Sequence, residues 1–83
     1  MKIGKILQKA PASPNNLRFA EARALAEGFG FRLSRIKGSH HVFTHPEIQE
    51  LVNLQEVGGQ AKAYQVRQLL QLLERYNLKS EGQ

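Results

Sequence analysis

Two consecutive histidines, His40 and His41, follow the turn-forming Lys37-Gly38-Ser39 and open the segment Val42-Phe43-Thr44-His45-Pro46. Imidazole has an ordinary pKa of about 6.5, so it can give or take a proton near neutral pH. On a strand of a basic chain, such a residue points to acid–base chemistry on an anionic partner, above all a phosphate backbone. Neighbouring strand residues face opposite ways, so His40 and His41 diverge. His41, Phe43 and His45 share one face; His40, Val42 and Thr44 share the other. Phe43, the bulkiest apolar residue of the segment, is expected against the core. That leaves His40 as the exposed candidate general base or acid, with His41 a secondary candidate at the core edge. The alternative is an ordinary strand histidine bonded to a neighbour.

The same geometry argues against a metal site. His41 and His45, four residues apart on a strand, have Cβ atoms about 13 Å apart, too far to share one ion. The chain has no cysteine, which excludes disulfides and thiolate-ligated zinc or iron–sulfur centres. Ser39 neighbours a histidine, but no carboxylate is placed to orient a base for it, so it reads as a turn residue.

Cations surround these residues. Arg32, Arg35 and Lys37 form a basic run just before the turn, and Arg35 and Lys37 share a parity that makes them a row on one face. Further on, Gly58-Gly59-Gln60-Ala61-Lys62 resembles a phosphate cradle opening a helix, with Lys62 as a point charge, although it lacks the spacing of a nucleotide-binding loop. The opposing readings are a solvated basic face and a loop that needs glycine to turn. Twelve Lys and Arg against seven acidic residues give a net charge of +5, which favours nucleic acid, an acidic protein or a membrane surface.

These residues must be positioned by one small domain. At 83 residues, roughly 60–65% of the unfolded chain's surface can be buried, which argues against a deep pocket for a large cofactor. No apolar run reaches the roughly 18–20 residues that span a bilayer, and Met1 to Leu7 is too short for a signal h-region. A soluble cytoplasmic protein is the expectation. Ile3, Ile6 and Leu7 make a weakly amphipathic start, broken by Pro11 to Asn16. From Leu17, the stripe Phe19, Ala22, Leu25, Ala26 and Phe29 predicts a helix, ended by Gly28 and Gly30.

Phe31 to Lys37 alternates as a strand that slips near Arg35–Ile36, as at a bulge. His40 to His45 is a second strand, and Leu51 to Gln55 a short third after the loop 47–50. A last helix is predicted from about Lys62 to Tyr76. Its inward stripe is Ala63, Val66, Leu69, Leu70, Leu73 and Tyr76; Gln65, Gln68, Gln71 and Glu74 face outward, and Asn77 is a stop. Tyr64 and Tyr76 read as packing residues, and Leu72 is left over for a partner protein. The order is helix, three strands, helix. It specifies an α+β fold whose three-stranded antiparallel sheet has one face under two helices and the other open to solvent.

Taken together, Gly38-Ser39-His40-His41-Val42-Phe43-Thr44-His45-Pro46 and Ala61-Lys62-Ala63-Tyr64-Gln65-Val66-Arg67-Gln68-Leu69-Leu70 resemble the HicA family of toxins. Asn16-Leu17-Arg18-Phe19 and Gly28-Phe29-Gly30-Phe31 also fit one branch, and the likeness covers roughly residues 15–78. The resemblance implies a double-stranded-RNA-binding-domain-like α-β-β-β-α fold. It also implies an mRNA interferase that cleaves mRNA without a metal or other cofactor and is held inactive by a HicB-like antitoxin. The family's essential histidine carries over to His40; in some members it falls one position later, at His41. Arg35, Lys37, Gly38, Ser39 and Lys62 are the expected RNA-binding residues, and Lys37, Lys62 and Tyr64 are candidates for the second proton carrier. Many relatives have further basic residues before the last helix, whereas Gln55 to Gln60 here holds Glu56.

The expected organisation is a toxin domain over 14–78, an extension over 1–13 that is a short helix or disordered, and a flexible tail over 79–83. Two other functions stay open. One is a non-catalytic RNA-binding module of the same fold; the other is an inactive toxin serving as a protein-interaction domain.

Overall fold

The computed structural model describes residues 2–81, so the first residue of the extension and the last two of the tail lie outside the described residues. The elements run α1 (Ile3–Ala12), a 3-10 turn (Pro14–Asn16), α2 (Phe19–Gly28), β1 (Arg32–Lys37), β2 (His40–His45), β3 (Ile48–Val57), β4 (Gln60–Ala61) and α3 (Ala63–Arg75). The strands form one antiparallel sheet in the order β1-β2-β3-β4. The fold is the expected α+β, double-stranded-RNA-binding-domain-like arrangement, with four strands rather than three.

The fourth strand escapes a sequence reading because it is two residues long and shows no alternation. Gly58 and Gly59 both have positive φ, +58° and +80°, the pattern of a two-residue hairpin turn that side chains with a Cβ resist. The glycine pair therefore turns β3 into β4 and does not open a helix, which removes the phosphate-cradle reading. β4 is held on its far side by Ala61 N–H donating to the Leu17 carbonyl at 3.1 Å and Phe19 N–H to that of Gly59 at 2.9 Å.

β3 also extends well beyond the expected Leu51–Gln55. His45 pairs with Ile48, so the presumed loop 47–50 is mostly strand. Glu50 is tolerated there because it reaches Arg75 Nη1 at 3.1 Å and accepts the Tyr76 hydroxyl proton, both from the end of α3.

The core lies between the sheet and α2 with α3. Leu17, Ala22, Leu25, Phe43, Leu54, Val66 and Leu69 are fully buried. α3 is rotated relative to its expected stripe: Gln65 and Leu72 are buried, whereas Tyr64 and Tyr76 are exposed. Gln65 can face inward because its amide is satisfied. Its Oε1 accepts the Gln55 N–H at 2.6 Å, and its Nε2 donates to the Tyr64 hydroxyl at 3.3 Å. It thus replaces the next strand along an edge that β4 is too short to cover. Leu72 is core and not free for a partner. Asn77, at φ +50°, stops the helix as expected, and Leu78 N–H returns to the Leu73 carbonyl at 3.0 Å.

The segment before Pro14 is a helix in its own right. α1 lies against α2 and α3 and buries Ile3, Ile6 and Ala10, while Lys9 Nζ reaches Glu21 Oε1 at 3.0 Å. Among the described residues no helix is long and apolar enough to cross a membrane.

Candidate active site and nucleic-acid interface

The topology collects one pole of the molecule. β1 ends and β2 begins at Gly38-Ser39; β3 turns into β4 at Gly58-Gly59; α2 starts at Phe19, bonded to the Gly59 carbonyl, and α3 starts just after β4. The tips of the β1–β2 and β3–β4 hairpins and the N-termini of α2 and α3 lie there, and helix N-termini carry partial positive charge. The two hairpins are tied together by Glu56 N–H donating to the Ser39 carbonyl at 3.1 Å.

His40 is exposed on the open face of the sheet, as Phe43, fully buried, dictates by parity. Lys37 opposes it on β1 and Gln55 on β3. Its Nδ1 lies 3.4 and 3.2 Å from the side-chain oxygen and nitrogen of Asn53, which orients the exposed ring. Arg35 opposes Val42 one step along the same face.

His41 faces the helices but is only half-buried. Its ring lies 4.6 Å from that of Phe19, and its Nδ1 is 3.2 Å from the Ser39 carbonyl. A carbonyl only accepts, so this bond requires Nδ1–H and leaves Nε2 as the basic atom of the neutral ring. His45 is buried at the other end of β2. Its ring nitrogens are engaged by the Phe29 carbonyl at 3.1 Å and the Glu47 N–H at 3.1 Å, so it is structural. Among the described residues no three His, Asp or Glu side chains gather as a metal-binding group.

The sequence matches the family model described as HicA toxin of bacterial toxin-antitoxin over residues 19–75. The chain belongs to the HicA toxin family. No curated protein and no solved structure matches it. The HicA match runs from the first residue of α2 to the last of α3 and contains every candidate site residue; α1 lies outside it. A toxin of a toxin–antitoxin system implies an antitoxin partner.

Within this HicA domain, the β1–β2 hairpin brings together Arg35, Lys37, Gly38, Ser39 and His40. Lys62 sits apart, as the residue preceding α3 at the same pole. Three ion pairs, Lys9–Glu21, Arg23–Glu27 and Arg75–Glu50, belong to the helices and their packing. Arg18, Arg32, Arg35, Lys37, Lys62 and Arg67 have no carboxylate in pairing distance among the described residues. β1 and β2 contain no acidic residue at all. Positive charge is thus left unneutralised along the hairpin.

Asn53 and Gln55 are the site neighbours that sequence reasoning missed. Nothing in their local pattern marks them, because only the β2–β3 register places them beside His40. Glu21 and Tyr76, neither of them a candidate site residue, have displaced titrations. The Arg18 N–H and then the Lys9 ammonium hold the Glu21 carboxyl below its ordinary range, and hydrogen bonding to Glu50 raises Tyr76 above its own.

Proposed function

We propose that this HicA toxin is a metal-independent endoribonuclease that cleaves mRNA in the cytoplasm, with His40 as its acid–base residue and a HicB-like antitoxin as its inhibitor. The observation that carries the reading is His40 itself. It is exposed at a hairpin tip, oriented by Asn53, opposed by Lys37, and set on a strand pair free of carboxylates.

The chemistry follows from that placement. The ring takes the proton of a ribose 2′-hydroxyl, and the oxygen attacks the adjacent phosphorus. The bond from phosphorus to the 5′-oxygen breaks, and that oxygen is protonated by a second group. Acid–base catalysis of this kind supplies about 10²–10⁴-fold. Lys37 stabilises charge on the phosphoryl oxygens; with Lys62 and Tyr64 it is a candidate second proton carrier. Gly38 and Ser39 let the backbone approach the phosphate.

A second reading has its own observation. The Ser39 carbonyl fixes the tautomer of His41 and Phe19 holds its ring, which are the properties of a prepared base. Purified protein on labelled RNA with EDTA separates the readings. Cleavage should persist in chelator and fall at least about 10²-fold in His40→Ala, with circular dichroism unchanged. Full activity in His40→Ala, with loss in His41→Asn, moves the base to His41. RNA bound but never cut by the wild type leaves a non-catalytic binding module.

A further inference from the structure

The bulge in β1 has a consequence that simple strand alternation hides. Arg32 and Arg35 are three residues apart, so in a regular strand they would face opposite ways. The register with β2 shows otherwise: Arg32 pairs with Thr44, Arg35 with Val42 and Lys37 with His40, and the shift falls between Leu33 and Arg35. Ser34 is the extra residue. Leu33 pairs with the buried Phe43 and packs on the core, while Arg32 returns to the open face. The partners Thr44, Val42 and His40 are each two residues apart, so the three cations stand at even steps of about 6.8 Å. All three are exposed.

We infer that the bulge phases a track for single-stranded RNA, in which Arg32, Arg35 and Lys37 hold successive phosphates leading to His40, and that Arg32 is a positioning residue of the reaction. The inference rests on the endoribonuclease reading. A step of about 6.8 Å is close to one nucleotide's length of sugar–phosphate backbone, so a strand laid along the row can set one phosphate on each cation. Beside the row, toward β3, lie Val42, Asn53 and Gln55, an apolar contact and two amides able to meet unstacked base edges. Among the described residues His40 is the one aromatic ring on this face, too little for a stacking platform, so phosphate charge carries the affinity. An acidic protein would also answer the charge, but it does not call for amides alongside that can meet base edges.

The test measures RNA affinity against salt for a labelled unstructured oligonucleotide, in a His40→Gln background that prevents cutting. Arg32→Gln should reduce the slope of log affinity on log salt by about 0.7, so that over a fourfold rise in salt it loses about 2.6-fold less affinity than its parent. Lys5→Gln, on the exposed side of α1, should leave the slope alone. Adding Thr44→Arg to Arg32→Gln puts a cation back on the same face from the opposed residue and should restore the slope. An unchanged slope in Arg32→Gln overturns the track, as does a reduced slope that Thr44→Arg fails to restore. So does an Arg32→Gln effect confined to binding of poly-L-glutamate, which would assign the row to an acidic protein. Whether the wild type cuts RNA is read separately and bears only on the catalytic proposal.

Discussion

At the scale of single residues, two side chains show how polarity is accommodated near the site. The Ser39 carbonyl accepts from both His41 Nδ1 and the Glu56 N–H, so one turn residue sets a tautomer and joins two hairpins. Gln65 does similar service inside the core, where it is 2% exposed and accepts the Gln55 N–H. Because Gln55 opposes His40, this buried amide supports the strand beneath the candidate catalyst. Replacing Gln65 with Ala leaves the Gln55 N–H without a partner and opens a void, so a loss of about 1–3 kcal/mol is expected. Urea denaturation reads it as a lower midpoint at unchanged slope. Gln65→Met, which refills the volume without an acceptor, should recover only the packing part of that loss; an Ala variant as stable as its parent would show that water replaces the bond.

Among the elements, α2 depends on a charge at its start. Glu21 accepts the Arg18 N–H at 3.0 Å and the Lys9 ammonium at 3.0 Å, and both favour its ionised form. A carboxyl lowered by folding adds stability above its unfolded pKa and loses it as pH falls through the folded value. The pair is partly exposed, so the increment is under about 1 kcal/mol. Thermal melts of Glu21→Gln and wild type should therefore differ near neutrality and converge as pH falls from the unfolded reference, about 4.3, through the lowered folded value; a gap that stays constant with pH would assign the difference to packing.

The elements also show what a sequence discloses. The stripe Phe19 to Phe29 and the parity of Phe43 placed α2 and turned His40 outward, because apolar periodicity is a local signal with one buried solution. The slipping alternation near Arg35–Ile36 announced a bulge but misplaced it: the extra residue is Ser34, and only pairing with β2 phases Arg32. Gln65 misleads for a related reason, since its burial depends on an unpaired N–H on β3 that no local pattern reveals. His40 was legible as a candidate; its neighbours Asn53 and Gln55 were not, because they enter through long-range register.

For the whole molecule, the ten-residue helix α1 decides how much core an 83-residue chain can assemble. A domain this small has only a few kcal/mol of net stability to lose. α1 lies outside the family match, yet Ile3 and Ile6 are 9% and 4% exposed among core residues drawn from every layer. Two isoleucines at about 1.5–3 kcal/mol each are of the same order as the stability of the whole domain. α1 is therefore part of the folding unit and not an appendage. Ile6→Ala should cost about 2–5 kcal/mol, and removal of residues 2–12 should leave a chain whose thermal melt is broad or absent at 37 °C. The sheet-face cations are remote from α1, so Ile6→Ala at a temperature where it remains folded should keep the RNA-binding salt slope of the parent. If Ile6→Ala unfolds at the urea concentration of the wild type, α1 is dispensable and the core of α2, α3 and the sheet is sufficient alone.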